Sequence, residues 1–113
     1  ERVAAELLGG EVPPTALLVR HDVVARGAMR AVLGAGLRIP EDVSIMGSGD
    51  ILGSDMFRVP LTTVRFPARR MADFCVKALL GMLAGEDVAP ETTVFDVELV
   101  VRASTAPPQQ RGK

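Results

Sequence analysis

The stretch "TALLVRHDVVARGAMRAVLGAGLRIPEDVSIMGSGDI" (residues 15–51) decides the fold. It contains two apolar runs of strand length, "TALLVR" and "VSIMG". Between them, small and apolar residues recur at helical spacing over 23–33, and Gly34 and Gly36 follow where that helix would end. This order predicts a βαβ unit with parallel strands, which is right-handed in nearly every known protein. The fold class indicated is α/β, with the strands buried on both faces of the sheet.

Polar residues follow each of the two predicted strands. His21 and Asp22 come after the first strand, and the turn "GSGD" (47–50) comes after the second. Ligands of open parallel sheets bind beyond the carboxyl ends of the strands. Asp22 is expected to cap the helix by accepting hydrogen bonds from its free N–H groups. We therefore predict His21 and Asp50 as the ligand-binding residues.

The rest of the chain continues the alternation of helix and strand. A helix at the amino end stops at Gly9 and Gly10, and Cys75 lies in the apolar stripe of a later helix, where an unreactive buried thiol is expected. The remaining segments are a strand at "LTTVRF" (61–66), a helix over 69–84, a turn at "EDVAPE" (86–91), extended segments in "TTVFDVELVVRAST" (92–105) and a disordered tail, "APPQQRGK" (106–113).

The composition argues against nucleic acid and membrane as direct partners. The chain has 113 residues, enough for one small domain, and its 13 basic and 14 acidic residues give a net charge of −1. A phosphate backbone demands a basic surface, and the lack of Trp and Tyr removes platforms on which bases stack. No apolar run reaches the ~18 residues that cross a bilayer. We expect a cytoplasmic protein, since its single cysteine rules out an internal disulfide framework.

Catalytic and metal sites find little support in the sequence. One histidine and one distant cysteine do not form a cluster of metal ligands, and "GSGD" lacks the lysine of a P-loop. A hydrolase using Ser48, His21 and Asp50 stays open as an alternative, although no "G-x-S-x-G" elbow occurs. An acid–base pair of Asp50 and Asp55 also stays open, but loop aspartates more often make local turn hydrogen bonds. We expect no enzyme, no cofactor and no metal.

Three motifs together resemble those of the LacI/GalR family of bacterial transcription regulators. They are "GAMRAVLGAGLRIPEDVSIMG" (27–47), "PLTTVR" (60–65) and "ELVVRAST" (98–105), which are specific only in combination. The likeness is to the carboxyl-terminal portion of the family's effector-binding region. It implies the effector-binding and dimerising part of a regulator that reaches DNA only through a head domain absent from this chain. A solute-binding protein of a transport system, which shares this architecture, is the alternative.

The resemblance also implies a fold of two α/β lobes, like that of periplasmic sugar-binding proteins. The helix with the apolar stripe would then lack partners within this fragment, and the helix carrying Arg26 and Arg30 would face a second subunit in a homodimer. The implied division is 1–61 in the carboxyl-side lobe, 62–93 in the amino-side lobe, 94–105 returning to the carboxyl-side lobe, and 106–113 as a tail.

The sequence departs from the family's pattern at two places. His21 stands where asparagine is common, and Ser48, Gly49 and Asp50 stand where an aromatic residue and two aspartates are common. The first of those aspartates often contacts ligand hydroxyls, and Gly49 offers no carboxylate in its place. The resemblance therefore implies a small-molecule effector that is either sugar-like or an anionic metabolite, contacted by His21 and Asp50, with Arg65 behind them.

Overall fold

Three helices and four strands form the described part of the computed structural model, residues 1–86 and 92–108. The chain divides into a first unit, Glu1–Arg65 with Leu99–Lys113, and a second unit, Phe66–Glu98. In chain order the elements are α1 (Arg2–Leu8), β1 (Ala16–Leu18), α2 (Asp22–Gly34), β2 (Ser44–Ser48), a 3-10 turn (Ser54–Met56), β3 (Thr62–Arg65), α3 (Ala68–Leu83) and β4 (Glu98–Val100).

The four strands form one sheet in the order β1-β2-β3-β4. β1 pairs with β2 in parallel, with Leu17 opposite Ile45, and β2 pairs with β3 in parallel, with Gly47 opposite Thr63. The predicted strand–helix–strand unit is therefore present, with α2 between β1 and β2. The prediction of an α/β fold with a parallel sheet flanked by helices is confirmed.

The core of the first unit lies between α2 and the sheet. Small and apolar residues of α2 recur every three or four positions and are buried, so they form one face of the helix. Their short side chains let the helix approach β2 closely. The core residues are Ala4, Ala25, Ala28, Met29, Ala31, Val32, Ile39, Val43, Ile45 and Leu61.

The strand β1 is less buried than expected. The prediction that it is covered on both faces is wrong for Leu18, whose side chain is 78% exposed, although Leu17 is partly buried against the core. Successive side chains of a strand point to opposite faces. Among the described residues, α2 covers one face of the sheet and nothing buries Leu18 on the other.

The strand β3 lies in the first unit. We expected the segment that begins at residue 62 to belong to a different lobe from residues 1–61. Instead β3 extends the sheet beside β2, with Met46 opposite Thr62, and the first unit continues to Arg65. The hydrogen-bonded ladder with β2 explains why the boundary follows the strand and does not precede it.

The second unit contains α3, which exposes most of its apolar side chains. Gly81 is its one buried residue, and Phe74 packs edge-to-face on Phe95 with ring centroids 5.8 Å apart. Cys75 is exposed, so the expectation of a buried thiol is wrong. The apolar residues that remain exposed on this helix are Met71, Phe74, Val76, Leu79, Leu80, Met82 and Leu83.

The carboxyl end of the chain returns to the first unit. Regular strand structure is confined to Glu98–Val100, shorter than the extended segments expected over 92–105. The start of the expected tail is held in place, because Ala106 N–H donates to the Ser44 hydroxyl at 3.1 Å. The rest of that tail (109–113) and most of the expected turn (87–91) lie outside the described residues.

No helix within 1–86 and 92–108 is long and apolar enough to cross a membrane.

Gly47 occupies the most crowded position of β2. A methyl group built on its Cα would fall into the Asp22 carboxylate and lie 2.8 Å from Cδ2 of Leu61. The start of α2 and the start of β3 therefore meet over this glycine, where only a hydrogen atom fits.

Gly47→Ala is expected to lower the free energy of unfolding by about 2 kcal/mol, the usual cost of overpacking a core. Urea denaturation of the two proteins measures the difference. Gly34→Ala is the matched control, since no atom lies within 4 Å of the added methyl group at the end of α2. A Gly47→Ala protein as stable as the wild type would contradict the crowding.

Candidate functional site

The candidate site lies at the edge of the sheet where three parallel strands end. β1 leads to His21, β2 ends at Ser48 and β3 ends at Arg65. The Gly49 N–H donates to the Val64 carbonyl at 2.8 Å, so the turn after β2 continues along β3. The residues predicted from sequence therefore stand on elements that the sheet fixes in place.

Asp22 anchors the start of α2 by contacts other than capping. Its side chain is fully buried. The Thr63 hydroxyl donates to Oδ1 at 2.7 Å, and the Ile51 backbone N–H donates to Oδ2 at 3.0 Å. The prediction that Asp22 caps the helix is wrong: it is the first helical residue, His21 is the N-cap residue, and the carboxylate joins α2 to β3 and to the turn after β2.

Asp50 is the centre of a network of hydrogen bonds with two arginines. Arg65 Nε donates to Oδ2 at 2.6 Å, and Arg102 Nη2 donates to Oδ1 at 2.6 Å. The Ser54 hydroxyl donates to Oδ1 as well, at 3.1 Å. Both carboxylate oxygens are therefore engaged, and the Asp50 side chain is only 10% exposed.

The arginines also decide the charge state of Asp50. Burial alone raises the pKa of this carboxyl group, but the hydrogen bonds from Arg102, Arg65 and Ser54 together outweigh it. The pKa of Asp50 therefore lies below its ordinary value, and the group is an anion at neutral pH.

His21 is exposed at the start of α2, with an extended backbone. Its carbonyl accepts from the Ala25 N–H at 2.9 Å, while its side chain makes no capping hydrogen bond. His21 is therefore exposed where β1 leads into α2, next in sequence to the buried Asp22.

The two catalytic alternatives gain no support from the contacts of Asp50. In a triad with Ser48 its carboxylate would orient the imidazole of His21, but both oxygens are taken by arginines and a serine. Asp55 lies exposed in the 3-10 turn. No group of three metal-ligating side chains occurs within 1–86 and 92–108.

Sequence reasoning missed the polar residues that complete the site. Thr63, Ser54 and Ser104 are buried, and Arg102 is mostly buried. Thr62 N–H donates to the Ser104 hydroxyl at 2.8 Å, so the segment that carries Arg102 is joined to β3. The signal in the sequence was the polar residues that follow apolar ones in "LTT" (61–63) and "LVVRAST" (99–105).

Thr63→Val is expected to lower the free energy of unfolding by about 2 kcal/mol, because the buried Asp22 carboxylate loses a donor that nothing replaces. The substitution keeps the shape of the side chain. Thr63→Ser keeps the hydroxyl and should lose less. Denaturant titration compares the two, and a valine variant at least as stable as the serine variant would contradict the role of this hydrogen bond.

The contribution of Asp50 to stability is expected to depend on pH. Its pKa in the folded protein lies below the ordinary value of 3.8, so the stabilisation is fully present above pH 3.8 and is lost as the pH falls through the folded value. Urea denaturation from about pH 5 to about pH 2 should show the stability difference between wild type and Asp50→Asn shrinking. Asp55→Asn is the control in the same loop. A difference that grows towards acid would contradict the assignment.

Comparison with known proteins identifies the family. Residues 1–105 match the model of a periplasmic binding protein-like domain. The chain is 40% identical over 102 residues to the HTH-type transcriptional regulator AglR of Rhizobium meliloti, covering 88% of this chain and 29% of that protein. It is 39% identical over 114 aligned positions to the regulator MalR of Streptomyces coelicolor, covering 100% of this chain and 33% of that one. The chain therefore spans about a third of the length of these relatives.

Solved structures agree in fold. A dimeric lac repressor with an 11-residue C-terminal deletion superposes with a TM-score of 0.86 at 34% identity, over 96% of this chain and 39% of that one. A LacI family regulator from Bifidobacterium animalis subsp. lactis gives a TM-score of 0.87 at 30% identity, over 96% of this chain and 40% of that one. The resemblance stated from the three motifs is confirmed. The chain belongs to the family of LacI-type transcription regulators, and it matches part of their periplasmic binding protein-like, effector-binding domain.

Proposed function

We propose that these residues sense a small molecule as the effector-binding and dimerising portion of a transcription regulator. The observation that carries the proposal is the arrangement at the sheet edge. There, Asp50 holds Arg65 at the end of β3, beside the turn that follows β2. His21 is exposed at the end of the segment that joins β1 to α2. Hydrogen-bond donors gathered at the carboxyl ends of parallel strands suit a small polar ligand.

The proposed ligand is sugar-like or an anionic metabolite. It is recognised by His21 and by Arg65, whose guanidinium group Asp50 holds in position. Gly49 has a φ of +130°, a backbone conformation in which side chains are strained, so this turn is adapted to glycine. A carboxylate acceptor for ligand hydroxyls is therefore missing at this position. Imidazole and guanidinium donors favour a ligand that presents acceptor oxygens.

The proposed mechanism is a shift between two populations of the regulator. A ligand that binds one arrangement of the protein more tightly than another favours that arrangement. The same free energy couples ligand binding to DNA binding elsewhere in the whole protein. We propose that DNA contact comes from a helix-turn-helix head outside these 113 residues and that the regulator works in the cytoplasm. The relatives named above are regulators, which favours this reading over a transport protein.

The proposed partner chain is a second copy of the same protein. An open groove of about 660 Å³ on the first unit combines exposed arginines of α2 with apolar side chains. A surface of mixed apolar and guanidinium groups is typical of protein interfaces. The groove residues that support a homodimer here are Arg26, Arg30, Leu33, Met56, Phe57 and Arg58.

Titration calorimetry of the whole protein with sucrose, maltose and glucose 6-phosphate tests the ligand class. We expect one of them to bind, and His21→Ala to weaken its binding by about tenfold, equivalent to the loss of one good hydrogen bond. His21→Asn should keep a neutral sugar but not the phosphate, because an amide donates without charge. His21→Lys should keep the phosphate.

Arg38→Ala is the matched control, because Arg38 pairs with Asp42 in an exposed turn before β2. Its substitution should leave affinity unchanged. Tight binding of a neutral sugar that is unaffected by His21→Ala would remove His21 from the site. Hydrolysis of model esters abolished by Ser48→Ala would replace the regulator with an enzyme.

A further inference from the structure

The chain passes between its two units twice. It leaves the first unit between Arg65 and Phe66, here called the exit crossing, and re-enters between Glu98 and Leu99, the return crossing. Arg65 is the last residue before the exit crossing. Arg102 follows shortly after the return crossing. Both arginines therefore sit where the first unit begins or ends.

One carboxylate holds both of these arginines. Asp50 Oδ2 accepts from Arg65 Nε and Oδ1 accepts from Arg102 Nη2, each at 2.6 Å. The side chains of Asp50 and Arg102 are only 10% and 17% exposed. Charge-assisted hydrogen bonds shielded from water are among the stronger polar contacts in proteins. This applies to the pair with Arg102, whereas the side chain of Arg65 is 46% exposed.

The turn that carries Asp50 is itself fixed. Gly49 and Asp50 have φ values of +130° and +49°. The next backbone N–H, that of Ile51, donates to Asp22 Oδ2 at the start of α2. Aspartate and asparagine are the residues other than glycine that adopt this left-handed conformation most readily. Asparagine at position 50 therefore suits the backbone, while it removes the charge and leaves one acceptor oxygen for the two arginines.

Arg102 also braces the segment that follows the return crossing. Its Nη1 donates to the Leu61 carbonyl at 2.8 Å, and its backbone N–H donates to the Thr62 hydroxyl at 3.0 Å. The next N–H, that of Ala103, donates to the Pro60 carbonyl at 3.0 Å. These amide protons report directly on how firmly the segment is held.

We infer that Asp50 is a positioning residue. By binding Arg65 and Arg102 it joins the residues next to both crossings to the turn after β2, and this connection is here called the tie. A ligand that moves this turn then moves Arg65 and Arg102 together, so occupancy of the sheet edge reaches both connections to the second unit. The transmission from ligand to crossings rests on the proposed function. The tie itself does not, because it exists without ligand.

Hydrogen–deuterium exchange of the whole protein without ligand tests the tie. Asp50→Asn should speed exchange about tenfold in peptides covering 64–68 and 100–105, and leave β1 and α2 unchanged. Arg65→Gln should speed exchange only in the first peptide. Asp42→Asn, which breaks the exposed pair with Arg38, is the matched control and should affect neither peptide. Faster exchange in only one of the two peptides of Asp50→Asn, or in neither, overturns the tie.

A second variant covers the case in which Asp50→Asn unfolds and exchanges rapidly everywhere. Arg102→Lys should then speed exchange in 100–105, just as Arg65→Gln does in 64–68. If neither arginine variant changes exchange, the tie is overturned.

The same measurement with ligand tests the transmission. Whichever of sucrose, maltose and glucose 6-phosphate binds should slow exchange in both peptides of the wild type. Equal slowing in Asp50→Asn overturns the transmission. Failure of all three probes to bind contradicts the proposed function, and the ligand-free result still decides the tie.

Discussion

The candidate site depends on the hydrogen bonds that the buried side chain of Asp22 accepts. The carboxylate receives the Thr63 hydroxyl from β3 and the Ile51 N–H from the turn after β2, while it belongs to the first turn of α2. Three elements are therefore held by one fully buried side chain, where the loss of a hydrogen-bond partner costs about 1–3 kcal/mol. Gly47 leaves the space that the carboxylate needs. Because Asp22 is fixed in this way, it also fixes the backbone of the preceding residue, His21, at the edge of the sheet.

A second set of polar contacts joins the returning segment to the same sheet. The Ser104 hydroxyl accepts from the Thr62 N–H, and the Ser104 carbonyl accepts from the Ile45 N–H at 2.7 Å. Ser104 thus fills the position beside β2 just before β3 begins. No buried side-chain nitrogen or oxygen lacks a partner in the described part of the chain, as expected where polar groups leave water. This junction holds the segment that carries Arg102 beside β3, where Arg102 donates to Asp50 in the turn after β2.

The sequence predicted the fold better than it predicted the contacts within the site. Apolar runs, helical spacing and terminal glycines are local signals, and they located β1, α2 and β2 and hence the edge that carries His21 and Asp50. The partners of the carboxylates are not local: Thr63 lies 41 positions from Asp22, and Arg102 lies 52 positions from Asp50. The helix cap predicted for Asp22 was wrong for this reason, since the local preference of an aspartate before a helix lost to a buried donor from another strand. Exposure of Leu18 depends on which surfaces are covered, which periodicity alone does not show.

The position of Ser104 in the chain has a consequence for biosynthesis. Thr62 and Ser104 are 42 positions apart, and all of Phe66–Glu98 lies between them. As the polypeptide leaves the ribosome, the βαβ unit emerges first. The Thr62 N–H at the start of β3 can bind its acceptor, the Ser104 hydroxyl, only after the second unit has been made. The first unit can therefore complete this part of its sheet only after Phe66–Glu98 has been synthesised.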